Sequence, residues 1–75
     1  MTQKDIEDLI VYWMGNRVIT DRQEVLDEIS SIIGGEVIPG EVSSIYRQMV
    51  NNGRISDLEI TGPDGVVHTT IKVLR

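Results

Sequence analysis

The sequence predicts an α+β fold, three amphipathic helices followed by a β-hairpin, and three observations carry that prediction. Apolar residues recur at helical spacing in three separate stretches, near 2–14, 21–33 and 40–51. Each stretch closes on helix-stopping residues: Gly15-Asn16, Gly34-Gly35 and Asn51-Asn52-Gly53. Two alternating runs, near 56–61 and 66–73, then flank Gly62-Pro63-Asp64-Gly65, a strong turn sequence. At 75 residues the chain makes a single domain spanning 1–75.

Helix one begins at the N-cap Thr2, with Asp5 three residues on in capping-box register. Ile6, Leu9, Ile10, Trp13 and Met14 form its apolar stripe. Val11 falls on the polar side and Tyr12 at the boundary, either as stray surface residues or as a partner surface. Arg17-Val18-Ile19 reads as a short extended piece, a first strand near 17–19. Thr20 is placed to cap helix two, with Gln23 in capping-box register. Val25, Leu26, Ile29, Ile32 and Ile33 turn inward, while Glu24, Asp27 and Glu28 make an acidic outer face. Val37 or Ile38 is expected to plug the core before helix three.

Helix three starts at Pro39, whose missing N–H costs nothing in a first turn. Val42, Ile45, Tyr46 and Met49 share one face. Ser43, Ser44, Arg47, Asn51 and Arg54 gather on the other, with Gln48 at the flank and no acid among them. Gly53 supplies the left-handed residue that ends the helix. In the hairpin, a four-residue turn over Gly62–Gly65 sets Ile60 opposite Val67, Leu58 opposite Thr69 and Glu59 opposite His68. That register sends Leu58 and Ile71 to a core shared with Trp13, Ile29, Ile45 and Met49. Asp57 and Glu59 are left facing solvent.

The stretch V-S-S-I-Y-R-Q-M-V-N-N-G-R-I followed by the hairpin resembles the second half of a winged helix-turn-helix domain. The resemblance is to the superfamily, resting on apolar spacing and one glycine. It implies that helix 40–51 is a recognition helix, that the hairpin is a wing, and that 17–19 pairs with the wing.

Composition removes several function classes. There is no cysteine, so neither a disulfide framework nor a thiolate metal site is available. With His68 as the one histidine, no two-imidazole metal site forms within a chain, and an exposed strand position accounts for it. No nucleophile–base pair and no P-loop lysine after Gly34-Gly35 is found. The expectation is a non-enzyme with no cofactor and no metal. The longest apolar run, Leu9 to Met14, is too short to cross a bilayer, and no signal peptide is visible, which points to the cytoplasm without membrane attachment.

Two functions stay open. The net charge is −5, which opposes non-specific phosphate binding. The excess acid lies before residue 40, however, and from there on four carboxylates balance four cations. A DNA-binding transcription regulator would read a major groove with helix 40–51. Arg47 would read guanine and Asn51 adenine. Ser43, Ser44, Gln48, Arg54 and Lys72 would complete the contact set. The alternative is a winged-helix protein-interaction module, since such domains also occur as adaptors, antirepressors and inhibitors, often encoded by phages. The acidic face of Glu24, Asp27 and Glu28, together with Val11 and Tyr12, would then be the contact surface. The same Val11 and Tyr12 suggest a homodimer through helix one.

Overall fold

A computed structural model describes residues 2–36 and 40–74. Helices α1 (Gln3–Met14), α2 (Arg22–Ile33) and α3 (Glu41–Asn51) precede strands β1 (Ile55–Thr61) and β2 (Val67–Val73), with a short 3-10 turn at Gly34–Glu36. This is the expected three-helix-plus-hairpin order, with boundaries within a residue or so of those read from the sequence. Among the described residues no helix is long and apolar enough to cross a membrane.

Local chemistry explains most of the ends. At α1 the Thr2 hydroxyl accepts from the Asp5 N–H at 3.2 Å, and the Asp5 carboxylate accepts from the Thr2 N–H at 3.0 Å. At α2 the N-cap is Asp21 rather than Thr20, its carboxylate accepting from the Gln23 N–H at 3.0 Å. Ile19 and Ile71 exchange two backbone hydrogen bonds of 2.8 Å, which hold the chain extended at this point and delay the helix. The short first strand near 17–19 is thus a single bridge onto β2. The third helix begins at Glu41 with Gly40 as N-cap. Pro39, the expected start, lies outside the described residues, as do Val37 and Ile38.

α3 ends in a two-bond cap that feeds the hairpin directly. The Arg54 N–H reaches the Met49 carbonyl at 2.9 Å and the Gly53 N–H reaches Val50 at 3.1 Å. That pattern needs a left-handed residue between them, supplied by Gly53 at φ 78°.

The hairpin register differs from the expected one by a single residue. The strands pair Ile55 with Val73, Asp57 with Ile71, Glu59 with Thr69, and on the alternate rungs Leu58 with Thr70 and Ile60 with His68. The cause is the turn. Gly62 is itself a rung, its N–H donating to the Val66 carbonyl at 2.9 Å. The loop is therefore the three residues Pro63-Asp64-Gly65, with Gly65 at φ 80° closing it. Removing one residue from the loop turns every β1 side chain to the opposite face. Leu58, expected inside, is 57% exposed, and Ile60 on the same face is 63% exposed. Ile55 and Asp57 go inward instead.

The core is otherwise as the helical spacing demands. α1 contributes Ile6, Ile10 and Met14, α2 Val25, Ile29 and Ile33, and α3 Val42, Ile45, Tyr46 and Met49, closed by Ile19, Ile55 and Ile71. Ile32, expected inside, is exposed. Trp13 is half-buried, packing on the core with one face while the Arg17 guanidinium covers the ring at 4.4 Å from its centroid. Val11, read as a surface residue, is half-buried against the same core.

The register makes a direct prediction. Ile71→Ala should cost about 2–5 kcal/mol, enough to unfold a domain of this size. Leu58→Thr should stay within about 0.5 kcal/mol. Urea unfolding at low protein concentration measures both, and equal losses would contradict the observed pairing.

Candidate functional site

A polar cluster sits where α2, α3 and the inner face of β1 converge. Arg22 is the first residue of α2, directly after its cap, and its side chain reaches across to β1. The guanidinium donates through Nε to Asp57 Oδ2 at 2.6 Å and through Nη2 to Asp57 Oδ1 at 2.7 Å, a two-pronged pair. Nη2 also donates to Glu59 Oε1 at 2.6 Å. From α3 the buried Tyr46 hydroxyl donates to Asp57 Oδ2 at 2.8 Å. Asp57 thus receives three bonds from two helices, and its side chain is only 7% exposed. Among the described residues no buried side-chain polar atom lacks a partner.

The electrostatics follow from these contacts. The Arg22 guanidinium, aided by the Tyr46 hydroxyl and opposed by burial, holds the Asp57 carboxyl below its ordinary range. Burial, then the hydrogen bond to Asp57, pushes the Tyr46 phenol upward. The hydrogen bonds to Asp57 and Glu59 raise Arg22 further still, so it stays charged.

Next to the cluster lies an open groove of about 460 Å³ between α3 and the inner face of the hairpin. Arg22, Tyr46, Asp57 and Glu59 form one wall, Leu26 and Val50 supply apolar surface, and Ser43, Arg47 and Asn51 complete the lining. Three residues of the expected DNA-contact set therefore come together here. Arg47 is exposed and forms no ion pair among the described residues. Ser44 is exposed on the same helix without lining the groove.

The remaining members are drawn elsewhere. Arg54 pairs with Glu7 of α1 at 2.7 Å, and Gln48 accepts from the Gln3 amide of α1 at 2.8 Å. Gln48 thus ties α3 to α1, and Arg54 ties the turn after α3 to the same helix. Lys72 shares a rung with Ser56 on the hairpin face opposite to Asp57 and Glu59, so it points away from the groove.

Of the expected protein-contact residues, Glu24, Asp27 and Glu28 are exposed on α2, with Asp27 accepting from Gln23 at 2.8 Å. Tyr12 is 85% exposed. Val11 beside it is half-buried against the core.

The cluster of Arg22, Tyr46, Asp57 and Glu59 was missed as a unit. A signal for it existed. Asp57 sits two residues after Ile55, so once Ile55 is inside, a carboxylate must be inside too and demands a cation. Comparisons with protein families, with curated proteins and with solved structures each return no match.

Acid should expose the role of Asp57. Its folded pKa lies below the unfolded value of about 3.9, so its contribution is complete above that pH and is lost as pH falls toward the folded value. Asp57→Asn should lower stability by about 1–3 kcal/mol at neutral pH, the half-exposed Arg22 being partly rescued by water. It should also remove that share of the acid-side loss. Urea midpoints measured from pH 6 downward test both; a wild type and variant with parallel pH profiles would refute the assignment.

Proposed function

We propose that the chain is a winged-helix DNA-binding protein that reads sequence with α3. The observation that carries this reading is Arg47, a guanidinium with no counter-ion among the described residues, on an exposed helix face with Asn51 one turn later. Among the described residues the other arginines are committed: Arg22 to Asp57 and Glu59, Arg54 to Glu7, Arg17 to the Trp13 ring and carbonyl. An arginine left free on that face matches the paired acceptors of guanine, and an asparagine matches adenine. Ser43 and Ser44 fit backbone contacts. The net charge of −5 keeps the phosphate contribution small, so affinity depends on base contacts more than is usual.

A second reading, a protein-interaction module working as an adaptor or inhibitor, rests on a different surface. Glu24, Asp27 and Glu28 remain exposed on α2 without an ion pair among the described residues, and Ile32 stands exposed one turn beyond Glu28. An acidic stripe ending in an apolar residue suits a basic, partly apolar partner.

Selection from a random duplex library, followed by affinity measurement at several salt concentrations, separates the two. Under the DNA reading, Arg47→Ala should cost about 1–3 kcal/mol on the selected site and relax its sequence preference. Arg54→Ala should change DNA affinity little, because its charge is already met by Glu7. The salt dependence should correspond to about one or two phosphates per chain. A selected-to-random affinity ratio near one would end the DNA reading. Loss of partner capture on charge reversal at Glu24, Asp27 and Glu28 would then support the other.

A further inference from the structure

The face of the hairpin turned away from the helices carries a pattern that neither functional reading uses. From base to tip its rungs are Ser56 with Lys72, Leu58 with Thr70, Ile60 with His68, and Gly62 with Val66. Leu58 and Ile60 are more than half exposed, and Val66 is 50% exposed. Both strand carboxylates, Asp57 and Glu59, lie on the opposite face. Asp64 at the tip leans onto this one: a Cβ added to Gly62 would stand 2.9 Å from Asp64 Oδ1 and 3.6 Å from His68 Nε2. The order along the ribbon is therefore cation, apolar, apolar with histidine, apolar, carboxylate. It is balanced about the Ile60–His68 rung, with opposite charges at its two ends.

We propose that this face is a self-association surface occupied by a second copy of the chain. A two-fold axis through the Ile60–His68 rung stacks two hairpins face to face and antiparallel. The Ile60–His68 rung then meets its own copy, Ile60 on Ile60; the Leu58–Thr70 rung meets the Gly62–Val66 rung, with Leu58 over Gly62; and Lys72 at the base meets Asp64 at the tip, the last two contacts occurring twice. An isologous interface requires such a self-complementary order. Charge favours the same choice of occupant. A chain of net charge −5 repels its own copies, and this face pairs its one cation and one carboxylate between copies. The acidic face of α2 has no such compensation. The patch is smaller than the roughly 800 Å² per partner of a standard interface, which makes the dimer weak and concentration-dependent. The groove beside Arg47 lies on the other side of the ribbon and stays open, so the inference does not depend on the DNA reading.

Sedimentation equilibrium between about 10 μM and about 1 mM reads the association directly. The wild type should shift from a mass of 8.4 kDa toward twice that value. Ile60→Lys, at an exposed position, should remain monomeric and keep the wild-type helical circular dichroism. Lys72→Asp should weaken dimerisation about tenfold by setting two carboxylates against each other. Combining it with Asp64→Lys should restore the wild-type constant to within about threefold, because the opposite charges still meet. A wild type that stays monomeric at the highest concentration overturns the proposal, whatever else then covers the face. Dimers that survive Ile60→Lys overturn it too, as does a double variant as weak as the single one.

Discussion

Asp57 is the constraint around which this small domain is arranged. A carboxylate on the inward face of a strand is costly unless charge and hydrogen bonds meet it. Here the first residue of α2 and a tyrosine of α3 both do so, at 2.6–2.8 Å. The three contacts fix β1 against two helices at once, at a point where apolar packing alone would tolerate sliding. A hairpin displaced by one residue would bring Leu58 to this place and strand Arg22 and the Tyr46 hydroxyl. Ionic chemistry thus selects one register, while the isoleucines around it supply most of the cohesion. Such a division of labour suits a 75-residue chain without disulfides, whose core is too small to impose uniqueness by shape alone.

The helices were legible because their signals are local. Thr2 and Asp5 close a box on each other, and Gly53 ends α3 in the only backbone region where its cap bonds can form. Each depends on neighbours within a few residues. The hairpin was legible in outline for the same reason, and its register was not. Whether Gly62 is a loop residue or the last rung turns on one hydrogen bond to Val66, and composition is nearly silent on that. The error then propagated by geometry, since strand faces alternate: Leu58 and Asp57 exchanged places. The polar cluster was lost with it, because Arg22 and Asp57 lie 35 residues apart and only the correct face brings them together. The contacts of Arg54 with Glu7 and of Gln48 with Gln3 were illegible for a related reason. A helical wheel shows what faces away from a core and says nothing of a second helix lying alongside.

The electrostatic picture is one of local neutrality inside global acidity. Two guanidiniums stand among carboxylates sent from the other half of the chain: Arg54 beside Glu7, and Arg22 beside Asp57 and Glu59. Net charge therefore describes solubility and long-range approach better than it describes any one surface. The face of α3 is defined by what those pairings leave over, a single guanidinium bordered by serines and an asparagine. Recognition by so sparse a set draws on the geometry of individual contacts and little on bulk attraction.

The junction between α3 and β1 contains no slack. Asn52, Gly53 and Arg54 each donate a backbone hydrogen bond into the last turn of the helix, and the Arg54 carbonyl accepts from Leu74 at the far end of β2. These bonds join helix and ribbon through Gly53 without an intervening loop. The direction in which the ribbon leaves α3, and with it the placing of the strands beside Arg47 and Asn51, is therefore set by these few backbone bonds.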